Sequence, residues 1–354
     1  MCRIRPNTSG TLRAFAYLMK LARGTRPIEI GSFVGSYELL DVIGVGGMGV
    51  VFDAECDGRH VAVKLLSEQR LSDERALRRF HDEALVGRII NHPNVTATLE
   101  EGSTVDGVPF LVMERVCGET LGVRIQREGC PTLPRAVTLI QQILAGLGAM
   151  HAVGIVHGDV KSDNVLVERL DDGSDRARLI DFGLAHVQFS PTDDIRRPGP
   201  DEELVSGTPE YMAPEVIQGK GSSMSSDLYA VGVILYELLT GSTPFGGGSP
   251  AEIVRRHLDD EVVPPSLRAE VEMPSMLDRI VLRAIAKDPA KRFPDADSFA
   301  AALAVVMPLL QDTRGGRTTQ RMSRDTPTLN WSREIERRVA RGTPRRVKRE
   351  GQSR

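Results

Sequence analysis

The sequence of 354 residues has few cysteines, no long hydrophobic run and no internal repeat. Its four cysteines lie far apart, without a CxxC pair or a histidine at zinc-ligand spacing, so free thiols are expected. No apolar stretch approaches the ~20 residues that a membrane-spanning helix requires. The N-terminal residues lack the apolar core and cleavage site of a signal peptide. We therefore expect a cytoplasmic protein without a membrane span.

Charge is distributed unevenly along the chain, although the formal net charge is only −3. Residues 1–28 carry six basic and no acidic residues, and residues 311–354 carry thirteen basic and five acidic residues. These ends contribute +6 and +8, which leaves −17 on residues 29–310. The acidic body has enough apolar residues for a hydrophobic core, whereas the basic C-terminal end has few and is predicted to be a disordered tail.

Hydrophobic periodicity predicts a small β-rich region that is followed by a larger helical region, which is the order of an α+β fold. One predicted helix, Ser72–Ile90, interrupts the β-rich region, and a long loop at Gln188–Gly207 interrupts the helical one. The predicted strands are Tyr37–Ile43, Val50–Glu55, His60–Leu65, Phe110–Met113, Val165–Glu168 and Ala177–Ile180. The further predicted helices are Arg135–Val153, Ser225–Thr240, Pro250–Leu258, Pro274–Ala286 and Asp297–Leu309.

A glycine-rich motif of the form G-x-G-x-x-G occupies residues 44–49. Such a motif occurs in dinucleotide-binding folds and in other phosphate-binding loops. In a dinucleotide fold the loop opens a helix, whereas here Val50-Val51-Phe52 follows it and favours a strand. The glycines are therefore predicted to form a turn between two antiparallel strands, with backbone N–H groups that can approach phosphates closely.

Charged residues downstream of this turn fit phosphate and metal chemistry. Lys64 ends an alternating apolar run and can contact phosphates if an acid such as Glu83 holds it. Asp159, with Asn164 five residues later and Asp181 beyond it, supplies two oxygen ligands for a hard cation and one carboxylate that orients a hydroxyl. A single lysine or glutamate is more often a solvated surface charge, so the order of the motifs is what carries the argument.

Together these motifs resemble a eukaryotic-type (Hanks-type) protein kinase, and closely the bacterial serine/threonine kinases of that superfamily. The resemblance covers about Ser36 to Leu310, nearly 80% of the chain. The matching motifs are the glycine-rich loop, Val61-Ala62-Val63-Lys64, Glu83, His157 to Asn164, Asp181-Phe182-Gly183, Gly207 to Glu215, Asp227 to Gly232, and Asp288-Pro289 with Arg292. It implies a bilobal, α+β protein-kinase fold with a small β-rich N-lobe and a larger helical C-lobe.

The resemblance also implies a division of the chain into three parts. Residues 1–35 would be a basic N-terminal extension, residues 36–310 a protein kinase domain and residues 311–354 the basic tail. Within the domain, the N-lobe would span 36–113, the hinge 114–118 and the C-lobe 119–310.

The implied cofactors are ATP and Mg²⁺, with Mn²⁺ as an alternative metal, and each matching residue takes the family's role. Asp159 would be the catalytic base, Lys161 would stabilise the transferring phosphoryl group, and Asn164 and Asp181 would hold the metal. The residues implied to bind ATP are Ile43, Gly44, Val45, Gly46, Gly47, Met48, Gly49, Val51, Ala62, Lys64, Glu83, the gatekeeper Met113, and the hinge residues Glu114 and Val116. Residues with a mainly structural role would be His157, Phe182, Asp227, Glu215 and Arg292.

The substrate class follows from two features of the match. Lys161 stands two residues after the implied base, and Thr208 precedes Ala213-Pro214-Glu215, as in serine/threonine rather than tyrosine kinases. We therefore expect Ser and Thr hydroxyls of proteins as substrates, with Thr208 in the substrate-binding loop, autophosphorylation and a role in cytosolic signalling. The candidate phosphorylation sites are Ser190, Thr192, Ser206, Thr326 and Thr328.

Two residues depart from the family's pattern. Gly158 replaces the arginine that normally contacts a phosphate on the activation loop, so we hypothesise that activity does not require a phosphorylated loop. Gly87 stands four residues after Glu83, where a bulkier residue is usual, and would weaken the helix by ~1 kcal/mol relative to alanine.

Three alternatives remain open. The chain could be an inactive kinase-like scaffold, although it retains Lys64, Asp159 and Asp181. The basic ends could contact nucleic acid, but nothing resembles a folded DNA-binding module, so no nucleic acid partner is expected. The basic tail could also contact the acidic body. Phosphorylation of its threonines would then release it or recruit a phosphothreonine-reading partner.

Overall fold

Six strands between residues 33 and 114 form one antiparallel sheet in a computed structural model of the protein. They are β1 (Phe33–Val34), β2 (Tyr37–Val45), β3 (Gly49–Cys56), β4 (Arg59–Leu66), β5 (Thr98–Ser103) and β6 (Pro109–Glu114), in the spatial order β1-β2-β3-β4-β6-β5. The structure describes residues 28–182, 184–187 and 208–311. All of them lie in the first of the two units into which the chain divides, residues 1–312.

Strand β4 has a different environment on each of its faces. Val61, Val63 and Leu65 pack into one apolar cluster of the sheet, together with side chains from β3 and β6. Because side chains alternate between the faces of a strand, Ala62 and Lys64 point to the opposite face. The sequence pattern of β4 thus places its lysine on the face that the following helix covers.

That helix, α1, spans Glu74–Ile89 and packs on the Lys64 face of the sheet. Its N-cap residue Asp73 accepts hydrogen bonds from the backbone N–H groups of Arg75 and Ala76, which satisfies two of the donors at the helix start. Phe80 and Ala84 are fully buried against Leu66 and Leu111 of the sheet, and they fix which side of the helix faces inward.

The rest of the described chain is mostly helical. Its helices are α2 (Leu121–Glu128), α3 (Leu133–Ala152), α4 (Pro214–Ile217), α5 (Met224–Thr240), α6 (Pro250–Asp259), α7 (Ser275–Ala284) and α8 (Ala296–Gln311). Helix α5 is buried on almost every side, as its apolar composition predicts, and packs against α3 and α7. It begins with a capping box between Ser223 and Ser226, which fixes the helix start next to the site described below.

Two small sheets connect these helices to the large sheet. One contains β7 (Gly118–Thr120), β9 (Val165–Arg169) and β10 (Asp175–Leu179) in the order β10-β9-β7, and the other pairs β8 (Ile155–Val156) with β11 (His186–Val187). The loop between β8 and β9 and the turn after β10 consequently lie side by side, because β9 and β10 are antiparallel neighbours.

The α+β class and the order of a β-rich region before a helical one are confirmed. The predicted strands and helices are all present, but the sequence pattern missed β1, β5, β7, β8, β11, α2 and α4. The predicted long loop, residues 188–207, lies outside the described residues, as do Gly183, residues 1–27 and residues 312–354. Among the helices of the described part, none is long and apolar enough to cross a membrane.

Candidate active site

A buried ion pair connects the large sheet to helix α1. The Lys64 ammonium donates hydrogen bonds to both carboxylate oxygens of Glu83 at 2.7 Å. Lys64 is 7% exposed and Glu83 is 2% exposed. Burial lowers the pKa of the Lys64 ammonium, but the negative charges of Glu83 and Asp181 outweigh burial and raise it above its ordinary value. Lys64 is therefore a permanent cation with a fixed position.

Asp181 brings a second carboxylate to the same lysine. It lies two residues after the end of β10, and its Oδ1 atom lies 3.2 Å from Lys64 Nζ. The Lys64 ammonium holds the pKa of the Asp181 carboxyl below its usual range, and the charge of Lys161 contributes in the same direction. Asp181 has a φ of 62°, which is uncommon for a residue with a side chain, and such conformations cluster at functional sites.

The loop between β8 and β9 carries three further predicted site residues. Asp159 Oδ2 accepts hydrogen bonds from Lys161 Nζ at 2.6 Å and from Asn164 Nδ2 at 3.0 Å. Asn164 Nδ2 also donates to the Asp159 carbonyl oxygen at 2.8 Å. These bonds hold the carboxylate in one orientation. The Ile180 N–H donates to the Asn164 carbonyl oxygen at 3.0 Å, so this loop and the turn after β10 lie side by side in one site.

Asp227, at the start of α5, fixes the backbone of this loop through hydrogen bonds. Its carboxylate accepts hydrogen bonds from the backbone N–H groups of His157 at 2.9 Å and Gly158 at 3.0 Å. His151 Nε2 also lies 2.9 Å from Asp227 Oδ2. Burial alone raises the pKa of the Asp227 carboxyl, but these hydrogen bonds and the histidine charges lower it overall. Asp227 thus remains ionised and fixes the backbone that precedes Asp159.

The glycine-rich turn connects β2 to β3, as the sequence predicts. The Gly46 N–H donates to the Gly49 carbonyl oxygen at 2.9 Å and closes the turn. Val51 lies directly opposite Lys64 in the β3–β4 register, so the turn and the lysine share one end of the sheet. Ile43 and Val45, on the β2 side, are partly exposed.

The segment after β6 joins the sheet to the helical region. Met113 at the end of β6 pairs with Ala62 of β4. The Val116 carbonyl oxygen accepts a hydrogen bond from Gly118 N at 3.1 Å, and no described residue accepts a hydrogen bond from the Val116 N–H. A backbone donor at this position is therefore available to a ligand that lies between the turn and the loop of Asp159.

Comparison with known proteins agrees with this architecture. The family model described as the protein kinase domain matches residues 37–303. The chain belongs to the protein kinase family. Three similar relatives are serine/threonine-protein kinase pkn3 of Myxococcus xanthus, PkaB of Streptomyces coelicolor and PknD of Mycobacterium tuberculosis, with 39%, 37% and 36% identity. The matches cover 76%, 78% and 77% of this chain but only 50%, 64% and 40% of those proteins.

Protein kinases use ATP and a divalent metal, and the donor set of this kinase domain fits such a metal. The described residues contain no group of three or more His, Cys, Asp or Glu side chains that would bind a metal on their own. Mg²⁺ typically takes one or two protein oxygens and completes its shell with water and phosphates. The Asp181 carboxylate and the side-chain oxygen of Asn164, whose nitrogen is bonded to Asp159, are donors of that kind.

A tyrosine that the sequence analysis did not single out connects the loop between β8 and β9 to α5. Tyr211 Oη lies 2.8 Å from Ser162 Oγ and donates to Glu237 Oε2 at 2.8 Å. Burial and the neighbouring Glu237 carboxylate raise the pKa of Tyr211. With Thr208 and Asp159, the tyrosine also lines a pocket of about 40 Å³. These residues lie far apart along the chain, so the sequence pattern alone did not indicate that they form a group.

Two arginines that make contacts at the end of β6 and just after it were also missed. Arg178 of β10 is 8% exposed and donates to Glu114 Oε2 at 2.6 Å and to Glu168 Oε2 at 2.9 Å. Arg115 Nε donates to Asp53 Oδ1 of β3 at 3.1 Å. The consecutive residues Glu114 and Arg115 are thus bound to β10 and to the large sheet, respectively, which fixes the peptide group between them. The sequence pattern alone predicts that both arginines are ordinary surface charges.

The structural residues predicted from the motifs also lie together. The His157 and Phe182 rings pack edge to face with centroids 5.5 Å apart. Arg292 makes two hydrogen bonds with Glu215, at 2.6 and 2.7 Å, in the interior of the helical region. All predicted site residues from Ile43 to Thr208 are among the described residues except the candidate phosphorylation sites Ser190, Thr192 and Ser206. Thr326 and Thr328 also lie outside the described part.

Proposed function

We propose that the chain is a serine/threonine protein kinase that transfers the γ-phosphoryl group of ATP to Ser and Thr hydroxyls of proteins. The observation that carries this proposal is one site with two charged clusters, Lys64 between Glu83 and Asp181, and Asp159 between Lys161 and Asn164. The names of the relatives support serine and threonine as the acceptors.

Asp159 would accept the hydrogen bond of the substrate hydroxyl and take up its proton. Its Oδ2 atom is engaged by Lys161 and Asn164, whereas no described residue donates a hydrogen bond to Oδ1, which is free for the incoming hydroxyl. Lys161, beside this carboxylate, would stabilise the negative charge of the transferring phosphoryl group. The fixed orientation of the carboxylate supports the role, because positioning supplies most of the rate in phosphoryl transfer.

The nucleotide would lie between the glycine-rich turn and the hinge. Residues 44–49 would cover the phosphates, Lys64 would contact them, and the backbone of Glu114 and Val116 would bind adenine. The side chains that would enclose the adenine ring are Ile43, Val51, Ala62 and Met113. The available Val116 N–H and the permanent charge of Lys64 support this placement.

Asp181 and Asn164 would hold Mg²⁺, with Mn²⁺ as the alternative metal. The metal supplies positive charge that neutralises the phosphates as the γ-phosphoryl group moves. Lys64 and Lys161 already hold the pKa of Asp181 below its usual range, so this carboxylate is ionised whether or not a cation is bound.

The proposed kinase domain spans residues 36–310, with the N-lobe at 36–113, the hinge at 114–118 and the C-lobe at 119–310. Residues 1–35 and 311–354 would be basic extensions, and a phosphothreonine-reading protein is the proposed partner of the second. Cys56, Cys117 and Cys130 form no disulfide, and this, with the use of ATP, supports a cytoplasmic location with a role in signalling.

The proposal is tested by incubating the purified full-length chain with radiolabelled ATP, Mg²⁺ and a generic basic protein. We expect label on the added protein and on the chain itself, and acid hydrolysis should recover it as phosphoserine and phosphothreonine. Recovery of phosphotyrosine alone would contradict the substrate class. ATP binding without any incorporated label would favour the inactive scaffold.

Activity is expected to be independent of phosphates on the activation loop. Gly158, where other kinases carry the phosphate-binding arginine, has a φ of 78°, and a Cβ atom there would lie 2.7 Å from the Leu184 carbonyl oxygen. The backbone geometry therefore excludes a side chain at this position. We expect the triple variant with alanine at Ser190, Thr192 and Ser206 to keep kcat/KM within about twofold of the unmodified chain.

The control for this triple variant is the same assay after phosphatase treatment of the unmodified chain, which should also leave kcat/KM unchanged. A tenfold or larger loss in either sample would show that a loop phosphate is required. It would contradict the role that we give to Gly158.

The basic tail is the proposed target of autophosphorylation. Thr326 and Thr328 lie in a stretch with thirteen basic residues, and each added phosphate cancels more than one positive charge. We expect deletion of Gln311–Arg354 to remove most of the label that the chain incorporates into itself. Label on an added basic protein should be retained. Unchanged autophosphorylation after this deletion would place the modified residues elsewhere.

A further inference from the structure

Helix α1 contacts strand β5 through a glycine. Gly87 is buried, and a Cβ atom at this position would overlap Thr98 Oγ1 and lie 2.8 Å from Thr98 Cβ and 3.0 Å from its backbone nitrogen. Non-bonded carbon atoms do not approach each other this closely. Rotation of the Thr98 side chain cannot relieve the contact, because the Cβ and nitrogen atoms belong to the strand itself. The helix backbone can therefore occupy its observed position only if residue 87 has no side chain.

Two polar contacts to Glu101 of the same strand come from residues of α1 that precede and follow Gly87. His81 Nδ1 lies 2.8 Å from Glu101 Oε1, and Arg88 Nη1 lies 4.0 Å from Glu101 Oε2. Both pairs are largely exposed and contribute little energy on their own. They show that α1 follows β5 over about two turns. The contact at Gly87, where a Cβ atom would overlap Thr98, limits how closely the helix and the strand can pack.

Glu83 lies one helical turn before Gly87 and faces the same side of α1, because residues at i and i+4 are neighbours on a helix. Its two 2.7 Å hydrogen bonds to Lys64 therefore depend on how far the helix axis lies from the sheet. A shift of about 1 Å at Gly87 would move the carboxylate out of hydrogen-bond range. The Lys64–Glu83 pair and the Gly87–Thr98 contact are thus parts of one rigid arrangement.

We propose that Gly87 is a positioning residue, whose missing side chain brings α1 close enough to β5 for Glu83 to hold Lys64 on the nucleotide phosphates. This inference rests on the proposed kinase function, because Lys64 matters only if ATP binds beside it. It replaces the interpretation of Gly87 as a weak point of the helix. The two interpretations predict opposite effects of Gly87→Ala. Alanine at a helical glycine ordinarily stabilises the helix, whereas here its side chain would push the helix away from the sheet.

The test compares Gly87→Ala with Gly148→Ala in the full-length chain. Gly148 is a helical glycine of α3, where a Cβ atom would make only ordinary contacts, 3.6 Å from Ala296 Cβ. We expect Gly87→Ala to lower kcat/KM for ATP about tenfold and to weaken ATP binding about threefold. Gly148→Ala should leave both values unchanged. Wild-type values for Gly87→Ala would overturn the proposal.

Two double variants separate positioning from general destabilisation. In the Glu83→Gln background, Gly87→Ala should cause no further loss of kcat/KM, because its effect passes through Glu83. In the Thr98→Gly background, the space opposite residue 87 is enlarged, and Gly87→Ala should cost much less than it does alone. A Gly87→Ala loss that is equal in all three backgrounds would overturn the proposal.

Failure of the proposed function would be visible separately. A wild-type chain that binds ATP but transfers no phosphate would contradict the kinase activity, and the effect of Gly87→Ala on the ATP dissociation constant would still decide the role of Gly87. A wild-type chain that does not bind ATP would overturn both proposals.

Discussion

Replacement of Asp159 by asparagine is expected to lower phosphoryl transfer about a thousandfold, which is within the usual contribution of a positioned general base. Asparagine has nearly the same shape as aspartate, and its side-chain oxygen can still accept the hydrogen bonds from Lys161 and Asn164. It has no carboxylate to take up the proton of the substrate hydroxyl. Since ATP is proposed to contact other residues, the KM for ATP should change little. The loss should appear in kcat, in the radiolabel assay with a basic protein substrate.

The matched control is Asp171→Asn, which makes the same chemical change in the exposed turn between β9 and β10. This variant should keep full activity. Thermal unfolding of all three proteins should give similar midpoints and show that the fold is retained. If Asp159→Asn kept more than a tenth of the wild-type kcat, Asp159 would not be the base.

The proximity of Lys64 and Glu83 was predictable from local patterns. The alternation of β4 places Lys64 on the face opposite Val61 and Val63, and the inner stripe of α1 contains Glu83 between buried apolar residues. Motif order then indicated which lysine and which glutamate would pair. The same holds for Asp159 and Asn164, because a separation of five residues within one loop restricts their distance.

The contacts of the hinge were not predictable in this way. Arg178 and Glu114 are separated by 64 residues, and a charged residue in a short strand is more often exposed than buried. Their 2.6 Å contact depends on how the small sheet of β10 lies against the end of β6. The Tyr211 contacts with Ser162 and Glu237 depend in the same way on packing between segments distant in the chain.

Gly158 and Gly87, the two departures from the family's pattern, are explained differently by the structure than by the sequence. From sequence, Gly158 is a missing arginine and Gly87 is a missing apolar side chain. In the structure, the positive φ of Gly158 and the close approach of Gly87 to Thr98 are both conditions that a larger residue would not satisfy. Each glycine is therefore required by the local backbone, which no motif comparison can reveal.

Replacement of Arg292 by methionine is expected to destabilise the helical region strongly. The Arg292 side chain is fully buried, and it donates to both Glu215 oxygens and to the carbonyl oxygens of Ala286 and Ser225. Its guanidinium also lies 4.7 Å from the Tyr229 ring centroid. Methionine would fill part of the volume but leave the Glu215 carboxylate buried without a partner. Breaking a buried ion pair in this way costs about 3–5 kcal/mol.

The prediction is checked by urea unfolding of the full-length chain, followed by circular dichroism or by the fluorescence of its tyrosines. Arg255→Met is the control, because Arg255 is exposed and its ion pair with Asp260 is screened by water, so no measurable change is expected. The double variant Arg292→Met and Glu215→Leu should recover part of the lost stability, since it removes the unpaired charge as well. If the double variant were less stable than Arg292→Met alone, the cost would come from lost packing rather than from the buried carboxylate. That outcome would remove the electrostatic reason for which this pair is expected to matter.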